Sequence, residues 1–138
     1  MTCYNRREIT NRCLQSLYNS ITNFKKFQFD IYLVDDGSSD DTSEYLEKHY
    51  PSINIIQGNG DLFWCGGMNL AWETSVNKKK YDFFLWLNDD VLLNINCLDV
   101  LFSSYDITNS VNSIIVGSFE SIDKKISYSG YLIKDKIR

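Results

Sequence analysis

The sequence predicts an α/β fold, a mainly parallel sheet flanked by helices. Three observations predict it. Short apolar runs alternate with segments whose apolar residues recur at helical spacing, the pattern of repeated strand–helix units. One run, Phe83-Phe84-Leu85-Trp86-Leu87, is apolar without alternation, which suits a strand buried on both faces of a parallel sheet. Two of the runs end in acidic clusters, Asp35-Asp36 and Asn88-Asp89-Asp90, and parallel α/β sheets bind ligands just beyond the carboxyl ends of their strands.

Taken in order, residues 5–23 read as the first helix, with Ile9, Cys13, Leu14, Leu17, Tyr18 and Ile21 on one face and Asn5 and Glu8 at capping-box spacing. A strand follows at 29–34, ending at Asp35, Asp36 and Gly37. The second helix is expected over about 40–49, capped by Ser39 or Ser38, with Pro51 beyond its end. A short strand is predicted at 53–56. Residues 58–69 form a glycine-punctuated loop leading into a helix over 67–77, with Met68, Ala71, Trp72 and Val76 inward and three lysines favouring its C-terminal end. After the 83–87 strand come a helix near 97–105, with Leu98, Leu101, Phe102 and Tyr105 inward, a strand at 114–117, and a C-terminal β-hairpin over 118–133 that turns at Asp123-Lys124-Lys125.

At 138 residues the chain is expected to be one domain, and 43% hydrophobic with 14% aromatic residues suffices for a real core. A net charge of −4 argues against a general nucleic-acid binder. No apolar run approaches bilayer-spanning length, and the opening MTCYNRREIT lacks the apolar region of a signal peptide. The four cysteines, Cys3, Cys13, Cys65 and Cys97, form no CxxC pair, so reduced thiols in a cytoplasmic protein are expected rather than a disulfide framework or a zinc site.

The strand ends carry the chemistry. Adjacent carboxylates such as Asp89 and Asp90, with Asn88, suit a hard divalent cation, Mg²⁺ or Mn²⁺, shared with substrate phosphates; the plainer reading is a helix cap. Asp35-Asp36-Gly37 is either a turn or an acceptor for the N–H groups of a base or the hydroxyls of a ribose. Gly66-Gly67 either eases packing or lets backbone N–H groups at a helix N-terminus approach an anion. Trp64 and Phe63 are either core or a platform for a sugar ring.

In combination, TCYNRRE, a strand ending VDDGSSDDT, GNGDLFWCGGMNLAWE and FFLWLNDDV resemble, in order and spacing, a family 2 glycosyltransferase of the GT-A (Rossmann-like) fold. The resemblance covers about residues 2–133. The glycine-rich block and IIVGSFESIDKKISYSG look most like the rhamnosyltransferase-type members. The resemblance implies that Thr2, Tyr4 and Arg6 line a nucleotide pocket and that Asp36, with Asp35 beside it, recognises the base. It places Trp64, Gly66, Gly67 and Asn69 near the ribose, diphosphate or donor sugar. Asn88-Asp89-Asp90 stands for the family's DxD motif, with Asp90 holding the cation on the diphosphate and Asp89 on the ribose or the metal. The implied activity is transfer of a sugar from a UDP- or dTDP-linked donor to a glycan or lipid-linked acceptor, with inversion, in cell-surface polysaccharide synthesis. The implied location is the cytoplasm or the inner face of the membrane.

The sequence departs from the family pattern at four places. Met68 stands where many relatives have Arg, and Asn88 replaces the first Asp of the DxD. Only Met1 precedes Thr2 where the family's first strand is expected, so that strand is expected to be missing. The family's acceptor site and catalytic base are expected beyond Arg138, so no base is assigned. The chain therefore resembles a donor-binding half shortened at both ends, and an incomplete sheet edge favours a homodimer. Two non-catalytic alternatives stay open: a nucleotide-binding remnant, and a receiver-like signalling module, against which stands the placement of Lys124 and Lys125 in a predicted turn.

Overall fold

A three-stranded parallel sheet forms the centre of the first of two compact units, residues 1–95 and 96–138. The computed structural model describes residues 1–108, 110, 112–121, 123 and 125–128. The elements of the first unit are β1 (Thr2–Cys3), α1 (Arg7–Asn23), β2 (Tyr32–Asp35), α2 (Thr42–His49), β3 (Asn54–Gln57) and α3 (Phe63–Lys78). The sheet order is β1-β2-β3, with Thr2 opposite Val34 and Val34 opposite Ile56. The α/β class read from the sequence holds, and the first strand, expected to be missing, is represented by two residues. Met1 extends its pairing, because the Met1 carbonyl accepts the Val34 N–H at 3.0 Å.

The core explains the helix faces. Cys13, Leu14 and Leu17 of α1 and Leu46 of α2 pack with Met1, Cys3, Leu33, Ile53 and Leu87. Leu33 faces this cluster; its neighbour Val34, also buried, points to the opposite face of the sheet, where α3 lies against β1 and β2. Each fully buried leucine is worth roughly 1.5–3 kcal/mol by area removed from water. Gly67 sets how closely α3 approaches, since a Cβ there would lie 2.1 Å from Thr2 Oγ1.

Several sequence expectations need correction. Ile9 of α1 is exposed, because the first turn of the helix lies at the loop edge and outside the core cluster. In α3, Trp72 and Val76 are exposed and Ser75 is buried with Met68 and Ala71. The helix begins at Phe63, four residues before the predicted start, so Gly66 and Gly67 lie within it rather than at its N-terminus. The 83–87 run is not a strand, and Phe83 to Trp86 are 40–54% exposed, with only Leu87 buried. A strand buried on both faces needs a full-length neighbour, and β1 offers two residues. The aromatic rings instead cluster with Trp72 of α3, which lies tilted over Phe84 at 4.2 Å and edge-on to Trp86 at 5.7 Å between ring centroids. Beyond this run, residues 88–95 lie along α1: the Ser16 hydroxyl accepts the Leu93 N–H at 3.0 Å, and the Ser20 hydroxyl donates to the Ile95 carbonyl at 3.3 Å.

The second unit contains α4 (Cys97–Thr108), β4 (Phe119–Glu120) and β5 (Ile126–Tyr128). In α4, Leu98 is buried and Leu101, Phe102 and Tyr105 are half-buried, as their spacing predicts. The predicted strand at 114–117 does not form, and Ile114 is 93% exposed; an apolar run without a paired neighbour gains no ladder. The hairpin does form, with β4 and β5 antiparallel and Ser121 N–H donating to the Lys125 carbonyl at 2.9 Å. Lys124 and the hairpin's predicted continuation to residue 133 lie outside the described residues.

Candidate functional site

Three loops of the first unit meet beyond the sheet. The first follows β1 and carries Tyr4, Asn5 and Arg6. The second follows β2 and carries Asp36 to Asp40. The third is 88–90. Asn5 joins the first to the second: its Oδ1 accepts the Ser39 N–H at 2.7 Å, and its own N–H donates to Ser38 Oγ at 2.9 Å. The predicted capping box with Glu8 does not form, because that side chain is spent on Ser39 and the residue takes a positive φ of 50°. Arg7 N–H is met instead by Asp40 Oδ2 at 3.1 Å. Arg6 joins the first loop to the third, its Nη1 lying 3.3 Å from Asp89 Oδ1 and 3.4 Å from Asp90 Oδ2.

Asp36 organises the glycine-rich loop. Its Oδ1 accepts the Gly60 N–H at 2.9 Å; its Oδ2 accepts the N–H groups of Leu62 at 2.9 Å and Phe63 at 3.0 Å. The carboxylate therefore covers the N-terminus of α3, where a negative charge is favourable. Gly58 is required for the close approach: a Cβ there would lie 2.5 Å from Asp36 Oδ1. Gly60 takes φ +90°, which a side chain would strain. Asp35 is equally enclosed, with Oδ1 accepting the Ser38 N–H at 3.0 Å and Oδ2 the Ser43 hydroxyl.

Asp89 is buried and Asp90 exposed. Burial pushes the Asp89 carboxyl up from its ordinary range, the Arg6 guanidinium pulls it back, and the Asp90 charge adds to the rise. Thr10 Oγ1 is a distant second side-chain donor to Asp89, at 3.5 Å. Two buried thiols sense the Asp89 charge, and burial keeps both protonated: Cys3 is pushed up to about 12, with Asp35 and Asp89 adding to the effect, and Cys13 to about 11. Asn88 faces elsewhere. Its Oδ1 accepts Trp64 Nε1–H at 3.0 Å, so its side-chain oxygen is directed to the indole rather than to the carboxylate pair.

The sequence-predicted residues thus separate into two sets. Arg6, Asp89 and Asp90 come together, with Asn88 and Trp64 beside them. Thr2, Asp35 and Asp36 are buried; Tyr4 and Asn69 are exposed. Gly66 cannot present a free amide to an anion, since its N–H already donates to the Leu62 carbonyl at 2.9 Å inside α3. The loop-joining role of Asn5 was not legible in the sequence, because its partners lie more than thirty positions away. Among the described residues no group of three His, Cys, Asp or Glu side chains is placed to hold a metal ion, so a cation here would rest on the two carboxylates and on substrate phosphates.

A parallel sheet with its strand-end loops joined beside a carboxylate pair defines an α/β ligand-binding domain. The family model for glycosyl transferase family 2 matches residues 1–133, and the chain belongs to that family. It is a glycosyltransferase, with a nucleotide-sugar donor and an acceptor as its general substrate classes, and the GT-A-type fold follows. That assignment leaves no support for the receiver-like alternative. A search of curated proteins finds no match to the chain. Among the described residues no helix is long and apolar enough to cross a membrane.

Proposed function

We propose that the first unit binds a UDP- or dTDP-linked sugar together with Mg²⁺ or Mn²⁺, and that the sugar passes with inversion to a glycan or lipid-linked acceptor. One observation carries this reading: Arg6, next to the Asn5 that is bonded to Ser38 and Ser39, reaches both Asp89 and Asp90. The three loops that would hold base, diphosphate and metal are thereby tied together. Two carboxylates within 3.4 Å of one guanidinium nitrogen face a common cationic position, so this donor set fits a hard divalent ion. Asp90, the exposed member, would hold it, with Asp89 behind. When bound, such a cation offsets the charge that gathers on the departing nucleoside diphosphate.

The remaining residues would bind and shield. Tyr4, exposed on the first loop, can cover a base or ribose; Trp64, exposed beside Asn88, offers a face to a sugar ring. Asp36 contributes by fixing the 60–63 backbone. The rhamnosyltransferase-type blocks, a role in cell-surface polysaccharide synthesis, a cytoplasmic or inner-membrane-face setting and self-association at the sheet edge belong to the same reading.

Isothermal titration of UDP and dTDP, with and without Mn²⁺, tests it on wild type and Asp90→Ala. We expect nucleotide binding that tightens at least about tenfold with Mn²⁺, a difference of about 1.4 kcal/mol, and loses that gain in Asp90→Ala. Absence of binding by wild type at millimolar nucleotide, with or without the metal, would refute the donor-site reading.

A further inference from the structure

We propose that Arg6 is the resident counter-ion of the Asp89–Asp90 pair and competes with the divalent cation for it, so that the metal enters as the guanidinium swings out. The inference rests on the metal-site reading above and concerns how that site is regulated. A single nitrogen, Nη1, serves both carboxylates, at 3.3 and 3.4 Å. These contacts are long, and they are not the two-armed fork that makes arginine–carboxylate pairs strong. The Arg6 and Asp90 side chains are each about half exposed, so solvent screens the pairing and it is readily broken.

The backbone around Arg6 is pinned while its side chain is not. Asn5 N–H donates to Ser38 Oγ, Arg7 N–H to Asp40 Oδ2, and the Arg6 carbonyl accepts the Thr10 N–H at 2.9 Å. Displacement therefore needs only side-chain rotation, and the first loop keeps its place. Asp89 requires a cation whichever way the side chain points. It is buried, its other side-chain donor is Thr10 at 3.5 Å, and leaving such a carboxylate uncompensated is strongly unfavourable. A divalent ion replaces Arg6 with a full match to the two negative charges. The released guanidinium then becomes available to an incoming diphosphate, which couples the two ligands through one side chain; such coupling is reciprocal.

The test is Mn²⁺ binding in the absence of nucleotide, read by the electron paramagnetic resonance signal of free Mn²⁺ at neutral pH. The proteins are wild type, Arg6→Gln, Arg6→Lys and Asp90→Asn. Arg6→Gln should bind Mn²⁺ about three- to thirty-fold more tightly than wild type, the range set by removing the long contacts of a half-exposed guanidinium to the two carboxylates. Arg6→Lys, which keeps the charge, should stay near wild type, and Asp90→Asn should lose binding. Equal or weaker binding by Arg6→Gln, with Asp90→Asn still defective, overturns the competition while the metal site stands. No Mn²⁺ binding by either wild type or Arg6→Gln overturns both. A second measurement does not depend on how the variants fold: in wild type, the Arg6 Nε–H resonance should shift as Mg²⁺ saturates the site. An unmoved signal at saturation also overturns the competition.

Discussion

Replacing Asp36 should disable the glycine-rich loop before it disables any chemistry. The carboxylate collects three backbone N–H groups at 2.9, 2.9 and 3.0 Å, and its side chain lies in a residue only 4% exposed. Hydrogen bonds to a charged group contribute roughly 1.5–3 kcal/mol each, and a buried donor left unpaired costs a comparable amount. The three share one acceptor and are not independent, so Asp36→Ala should cost about 3–6 kcal/mol, less than the simple sum. Against a total stability of about 5–15 kcal/mol, that leaves the unit marginal or locally open. Asp36→Asn keeps one carbonyl oxygen, enough for Leu62 and Phe63, but turns an NH₂ toward the Gly60 N–H; its cost should be about 1–3 kcal/mol. Urea unfolding measures the totals, and amide hydrogen exchange at Gly60, Leu62 and Phe63 locates them. If Asp36→Ala stayed within about 1 kcal/mol of wild type with those amides still protected, the assignment of Asp36 as the loop's organiser would be wrong.

Two further predictions test the packing and the electrostatics separately. Gly67→Ala should destabilise by about 1–3 kcal/mol through overpacking, because its Cβ would meet Thr2 Oγ1 at 2.1 Å and Thr2 Cβ at 2.7 Å. Thr2→Gly should recover part of that loss, and a double-mutant cycle by urea unfolding reads the coupling; additive losses would show that α3 is held off β1 by something else. Asp30→Asn should cost about 0.5 kcal/mol at neutral pH, the scale of a solvent-screened ion pair. Lys79 Nζ lies 2.6 Å from Asp30 Oδ2 and Tyr81 donates to the same oxygen at 2.6 Å; these hydrogen bonds, Lys79 first, hold the Asp30 carboxyl below its ordinary range. A depressed carboxyl contributes stability above the ordinary Asp range and loses it as pH falls through the folded-state value. The thermal-midpoint gap between wild type and variant should therefore close in acid, and a gap that widened there would contradict the ion pair.

The helices were legible in the sequence to the extent that their faces meet the core. Cys13, Leu14 and Leu17 recur at helical spacing and are buried, whereas Ile9 shares their face and is exposed, because its turn lies above the sheet edge. Asn5 and Glu8 have the spacing of a capping box, but spacing cannot register a competing partner such as Ser39, which holds Asn5 from another loop. The 83–87 run shows the same gap at larger scale. Its composition states that these side chains suit burial in a sheet; whether a strand forms depends on a neighbour, and β1 supplies two residues. The aromatic rings then cluster on one another, and Trp64 and Trp86 remain about half exposed.

The acidic loops divide along a similar line, which is set by the nature of each carboxylate's partner. Asp89 and Asp90 are satisfied by a side chain, and Arg6 carries its chemistry in its residue type, so a basic group among acidic loop ends could be picked out in the sequence even though the 3.3 and 3.4 Å contacts could not. Asp36 is satisfied by backbone amides, and a backbone N–H has no residue type to read. The trace it leaves is indirect: glycines at 58 and 60, one excluded from bearing a Cβ by the carboxylate itself and the other by its positive φ. A glycine-punctuated stretch after an acidic strand end therefore carries two meanings at once, an approach for a bound anion and a wrapping for the protein's own carboxylate. Here the N–H groups of Gly60, Leu62 and Phe63 are already spent on Asp36. Within the proposed donor site, this loop's contribution to a diphosphate would come through the position it gives Trp64, and the positive charge offered to the diphosphate would come from Arg6 and the metal.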